Sequence, residues 1–190
     1  MNTEENNFEF FIRDFIGAFN ESEIKYVLIG GIAVNYYGRP RSTLDADIII
    51  ERDENKIKIL EQKLRSNNFL VSDNEIIDAV NDKTHCSIFW DKDILLRLDI
   101  KTPTRLLEEE ALMNRKKITV FDKKIFIQIP EEIIIAKLIY GSDQDHDDAY
   151  SMILRQGDKL NYELLHRLSK REGVQEKLEK LLEESKKFME

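Results

Sequence analysis

A mixed α/β (α+β) fold, with helices flanking a small mixed sheet, is what this sequence predicts, on three observations. Short runs rich in β-branched residues and bounded by turn signals alternate with stretches of helical spacing up to residue 129. From Pro130 onward the pattern becomes almost wholly helical. Between Tyr26 and Ile50 the segment YVLIGGIAVNYYGRPRSTLDADIII brings a glycine turn, basic residues and paired carboxylates into one strand–helix–strand unit. The expected organisation is a domain over residues 1–129, opened by an amphipathic helix, and a helical subdomain over 130–190 packed on it.

That unit organises the rest. Residues 26–29 read as a buried strand ended by Gly30 and Gly31, which let the backbone turn sharply and approach a phosphate without a Cβ in the way. Residues 32–37 suit a short helix, closed by Gly38 in the left-handed conformation before Pro40. The N-terminus of that helix is an anion site. In a second strand over 43–51, a period of two puts Asp45 and Asp47 on one face and Ala46, Ile48 and Ile50 on the other. Adjacent carboxylates raise each other's pKa unless a cation is held between them, and aspartate oxygens suit Mg²⁺. Any solvent-facing strand edge could also show Asp-x-Asp, but the glycine turn upstream favours a nucleotide-and-metal site.

The remaining elements follow in order. Residues 2–22 place Phe8, Phe11, Ile12, Phe15, Ile16 and Phe19 at helical spacing, an aromatic stripe of core type. Asp53 is the expected N-cap of a helix burying Ile57, Leu60 and Leu64. Strands are expected at 69–72, 84–90 and 94–101, with a short helix at 75–80. In the last strand Leu95, Arg97 and Asp99 share a face, so Asp99 can join Asp45 and Asp47 if the two strands are neighbours. A charge late in an apolar strand could equally mark its exit to solvent. Thr102 followed by Pro103 reads as a helix start, and a short helix over 105–114 leads into a hairpin, 118–121 and 125–129, with Lys116, Lys117, Lys123 and Lys124 expected as solvated turn residues. Helices are then expected from Pro130, over 145–154, 162–171 and 174–189, the last carrying Leu178, Leu181, Leu182 and Phe188 at helical spacing.

Composition narrows the function classes. With 29 basic and 37 acidic residues the net charge is −8, so non-specific attraction to nucleic acid is not expected and any polyanion needs a local basic patch. The single Cys86 cannot form an internal disulfide, and no apolar run approaches membrane-spanning length. No membrane partner is expected, and a reducing cytoplasm is the expected compartment. His85 beside Cys86 lacks the ligand count of a structural zinc site. His146 reads as a helix N-terminal residue and Trp90 as packing at a strand end.

Gly30-Gly31, then Gly38-Arg39-Pro40-Arg41-Ser42-Thr43, then Asp45-x-Asp47, with Asp99 on a later strand, together resemble the nucleotidyltransferase superfamily, the DNA polymerase β-like fold. The pattern is similar to prokaryotic nucleotidyltransferase-like and toxin–antitoxin members. Lys137 ahead of Asp145 and Asp148 extends the resemblance, which covers roughly residues 25–150. Gly31 departs from the serine common at that position, and Ser142 and Gln144 depart from basic residues frequent in the subgroup.

The resemblance implies a transfer of a nucleoside monophosphate from a nucleoside triphosphate to an acceptor hydroxyl on an RNA 3′ end, a protein or a small molecule. It implies Mg²⁺ or Mn²⁺ held by Asp45, Asp47 and Asp99, acting in two-metal in-line displacement. Gly30, Gly31, Arg39, Arg41, Thr43 and Lys137 are the implied nucleotide-binding residues. Asp145 and Asp148 would either serve catalysis or organise Lys137 and Arg39 or Arg41 through ion pairs. The competing class is a non-catalytic module that keeps the fold for docking, such as a toxin–antitoxin partner, with the charged helix at 174–190 as its contact surface. The three intact carboxylates favour the enzyme.

Overall fold

The computed structural model describes residues 3–189, with side chains from 7 to 186. Asn2 and Glu190, at the ends of the first and last expected helices, and the Phe188 side chain lie outside the described residues.

The first helix, α1 (Thr3–Ser22), leads into β1 (Tyr26–Leu28), α2 (Gly30–Tyr37), β2 (Asp45–Ile50) and α3 (Glu54–Ser66). There follow β3 (Phe69–Leu70), α4 (Glu75–Asn81), β4 (His85–Trp90), β5 (Asp93–Lys101) and α5 (Leu106–Asn114). The hairpin β6 (Lys116–Val120) and β7 (Lys123–Ile127) precedes α6 (Pro130–Tyr140), α7 (Asp143–Gln156), α8 (Tyr162–Arg171) and α9 (Gln175–Met189). The strands form one seven-stranded sheet in the order β3-β4-β5-β2-β1-β7-β6. It is mixed: β2 runs parallel to β5 and β1 parallel to β7, while the other neighbours are antiparallel.

Alternation along the central strands divides the sheet into two faces. Tyr26, Leu28, Ala46, Ile48, Ile50, Leu98 and Ile100 are buried on one, against the aromatic stripe of α1. Phe19 lies 4.8 Å from Tyr26 between ring centroids, and Phe11 meets Trp90 edge-on at 6.0 Å. Trp90 is fully buried and donates to Asp14 Oδ2 at 3.0 Å. The other face is covered in part by α5, where Val27, Ile49 and Ala111 form a small second core. Beyond α5 that face opens into a cleft.

Several local expectations need correction. Gly38 is not left-handed: its φ is −111°, and a Cβ there would come within 2.5 Å of Ser151 Oγ and 2.9 Å of Met152 Cγ. Close packing of α7 requires glycine there, not a turn. Helix α5 starts at Leu106, within one residue of expectation, and Glu108 accepts from both the backbone N–H and the hydroxyl of Thr104, which fixes the preceding loop. The four lysines lie within β6 and β7, and the turn is Phe121–Asp122, with φ of 47° and 60°. Two consecutive left-handed residues make a mirror-image turn whose twist suits a hairpin.

Candidate active site

Register builds the site. Across β5 and β2, Asp99 stands opposite Asp47 and Arg97 opposite Asp45, and across β4 and β5, Ser87 stands opposite Asp99 and Phe89 opposite Arg97. In-register neighbours on adjacent strands share a face. The sheet therefore carries two rows, Leu70–Phe89–Arg97–Asp45 and Ser87–Asp99–Asp47, on the face that opens into the cleft. Asp45, Asp47 and Asp99 all lie there, as strand alternation predicts if β2 and β5 are neighbours.

They share the face without converging. The Arg97 guanidinium stands between two of them, its Nη2 3.1 Å from Asp45 Oδ2 and its Nε 3.2 Å from both oxygens of Asp99. Thr43 Oγ1 donates to Asp45 Oδ1 at 2.8 Å, and Ser87 Oγ to Asp99 Oδ1 at 2.5 Å. Among the described residues no three His, Cys, Asp or Glu side chains come together as a ready metal cage. The donors nevertheless fit a hard divalent cation in kind: three carboxylates on adjoining strands, with the Asp47 carboxylate accepting no hydrogen bond among the described residues. Burial, then the charges of Asp45 and Asp99, push the Asp47 pKa up, against the smaller opposing pull of Lys101 and Lys137. A carboxylate in that state gains most from an added cation.

Gly30 explains where Asp47 sits. With φ at +61°, an added Cβ would lie 1.9 Å from Asp47 Oδ2, so the carboxylate rests directly against the start of α2. At Gly31 a Cβ would come within 2.7 Å of Thr43 Oγ1. The glycine pair thus makes room for Asp47 and for the threonine that orients Asp45. No side chain caps α2 at Ile29, which leaves its first-turn N–H groups suited to an anion. Ile29 and Gly30 line a cavity of about 390 Å³ shared with Asp47, Asp99, Lys137 and Tyr140.

No family model matches the chain, and no curated protein matches its sequence. Solved structures do. The antibiotic-resistance factor ANT(2″)-Ia superposes with a TM-score of 0.58 at 13% identity, over 92% of this chain and 97% of that one. The same factor in complex with adenylyl-2″-tobramycin gives 0.57 at 14% identity, over 84% and 95%. An antigenic nucleotidyltransferase-like protein from Paracoccidioides brasiliensis gives 0.53 at 19%, over 92% of each chain. This chain has a nucleotidyltransferase fold.

Within that fold, the helical part supplies a second ion-pair system. Lys137 on α6 reaches Asp145 Oδ1 at 2.7 Å and Asp148 Oδ2 at 2.9 Å, and Arg41 holds the Asp148 carboxylate with Nε at 3.0 Å and Nη2 at 3.1 Å. These contacts raise the Lys137 pKa against the opposing effect of burial. Asn35 binds the Arg41 backbone in both directions, donating at 2.7 Å and accepting at 2.9 Å. Gln144, with its amide turned to face Arg41, accepts at 3.0 and 3.2 Å, so it joins the grip on Arg41. Of the two arginines singled out in the sequence, Arg41 enters this system. Arg39 instead lines a separate recess with Pro40, Tyr150 and Arg155.

Within the nucleotidyltransferase fold, the other singled-out residues lie as follows. Cys86 is buried, with its thiol pushed up to about 12, while His85 lines the cleft from the opposite face of β4, so the two form no ligand pair. His146 lies in the first turns of α7, 3.2 Å from Glu184. Sequence reasoning missed Arg97, Ser87 and Asn35 as partners of the site. For Arg97 a signal existed, since it shares the Asp99 face; for the others the pairing register was required.

Proposed function

We propose that this chain is a nucleotidyltransferase that moves a nucleoside monophosphate from a nucleoside triphosphate to an acceptor hydroxyl. The observation that carries the reading is that Asp45, Asp47 and Asp99 share one sheet face beside an uncapped helix N-terminus, with Asp47 and Asp99 lining a cavity. The fold shared with ANT(2″)-Ia supports it. Asp45, Asp47 and Asp99 would hold Mg²⁺ or Mn²⁺, which supplies neutralisation of phosphate charge. The acceptor oxygen bonds to the α-phosphorus, the bond to the β-phosphate oxygen breaks, pyrophosphate leaves, and Asp99 takes the hydroxyl proton. The first-turn N–H groups at Gly30 and Gly31 receive the phosphates, and Lys137 contributes positive potential from the cavity wall without leaving its aspartates.

The acceptor that suits this site best is a small hydroxylated molecule. ANT(2″)-Ia carries an adenylylated aminoglycoside in its complex. Here the cavity has ligand size, and the −8 net charge opposes a long polynucleotide track. One observation favours the alternative of a docking module that has kept the fold: Arg97 pairs with two of the three carboxylates, Asp45 and Asp99.

The test is incubation with each α-labelled nucleoside triphosphate and Mg²⁺ against a small-molecule panel, total RNA and total protein. Label should pass to a small molecule and be lost with Asp45→Asn, whose fold is checked by circular dichroism. Transfer to none of the three, with a folded wild type, would leave the docking module as the better reading.

A further inference from the structure

This inference rests on the catalytic reading above. We propose that Arg97 is the resident cation of the nucleotide-free site, bridging Asp45 and Asp99 until a divalent cation arriving with the nucleotide displaces its guanidinium.

The geometry supports exchange over a permanent strut. Arg97 is placed by register, not by a flexible loop: it faces Asp45 across the β2–β5 pairing and stands two residues before Asp99 on the same strand. Its Nε and Nη2 each take a carboxylate, so one planar group spans the gap between them. Thr43 holds Asp45 by the oxygen that Arg97 does not use, and Ser87 holds Asp99 Oδ1, so both carboxylates keep a partner once the guanidinium leaves. Asp47 is the carboxylate with no hydrogen bond, and it lies against the backbone at Gly30 where phosphates are expected. An ion alone meets two occupied ligands and one open one. An ion carried by a triphosphate brings anionic oxygens that can take over the guanidinium, so exchange becomes favourable when both arrive. With its side chain 36% exposed, Arg97 has room to swing out.

Two consequences follow, and a third separates displacement from a structural ion pair. Free metal should bind weakly, and removing the Arg97 charge should strengthen that binding. A pair that stays in place would leave the gain in Mn²⁺ affinity on adding ATP equal in wild type and Arg97→Gln, whereas displacement makes that gain larger in wild type.

The experiment is Mn²⁺ titration followed by electron paramagnetic resonance on wild type, Arg97→Gln, Arg97→Lys and Asp47→Asn, each with and without ATP. Arg97→Gln should bind Mn²⁺ without ATP about tenfold tighter than wild type or more, the scale of one lost charge-assisted competitor. Arg97→Lys, whose single ammonium cannot span both carboxylates, should fall between the two and serves if the glutamine variant does not fold. Unchanged or weaker binding in both variants, with binding abolished by Asp47→Asn, would overturn the role of Arg97 and leave the catalytic reading standing. Absence of Mn²⁺ binding in all proteins, with and without ATP, would overturn both.

Discussion

At the residue scale, Gly30 carries the most consequence per atom. Its φ of +61° disfavours any side chain, and the space a methyl group would take belongs to Asp47 Oδ2. Gly30→Ala should cost about 1–2 kcal/mol from the backbone alone. It should also push the Asp47 carboxylate off the start of α2, so Mn²⁺ plus ATP should no longer raise the melting temperature, as it should in wild type. Gly17, a helical glycine whose Cβ would meet Asn67 Oδ1 at an ordinary 3.6 Å, is the control, and Gly17→Ala should keep the shift. A ligand-induced shift of wild-type size in Gly30→Ala would place the nucleotide elsewhere. Asp45 and Asp47 were legible because a period of two needs only one strand. Asp99 was legible only on condition that β5 lies beside β2, which no local rule states for strands far apart in sequence. Arg97 escaped because a basic residue on a strand reads as solvated until its neighbours across the sheet are known.

At the scale of elements, the corner between α6 and α7 is held by charge. Asp148 is 4% exposed and is shared by Lys137 and Arg41, which ties both helices to the loop after α2. The resemblance implied Lys137 at the triphosphate, with Asp145 and Asp148 as its possible organisers; Lys137 lies in the cavity wall, paired with both aspartates. Lys137→Ala should therefore lower stability by about 3 kcal/mol, the cost of leaving a buried charge short of a partner. Pairing it with Asp148→Asn should recover part of that loss, a coupling that chemical denaturation of the double-mutant cycle measures. Strict additivity of the two changes would mean the pair is not coupled. Element types were legible from hydrophobic spacing, and the Asp53 N-cap and Pro130 at the first helical position marked two helix starts. Ends decided by tertiary contacts were not, as at Gly38 against α7 and at the glycine-free Phe121–Asp122 turn.

At the scale of the whole molecule, the hydrophobic core is continuous across residue 130. Buried side chains of α6 to α9, among them Leu138, Met152, Leu168 and Leu178, belong to the same cluster as Tyr26, Val34 and Ile48. The seam between the sheet part and the helical part holds an unusual group. Glu132 in the first turn of α6 is 1% exposed, and its Oε1 accepts from Asn114 Nδ2 at 2.8 Å. Its Oε2 has no hydrogen-bond partner among the described residues. Burial pushes its pKa up from 4.5 to about 7, helped by the charges of Glu110 and Glu131 and opposed by the Asn114 and Gln128 amides. A carboxyl group whose folded pKa is raised binds its proton more tightly folded than unfolded. The stability it contributes is complete below about 4.5 and is lost as pH rises through about 7. The loss should amount to at most about 3 kcal/mol. Glu132→Gln keeps the acceptor oxygen for Asn114 and cannot ionise. The melting temperature of wild type should therefore fall relative to that of Glu132→Gln as pH goes from about 5 to about 8. A constant difference across that range would show that Glu132 keeps one protonation state throughout, and that the seam does not respond to pH.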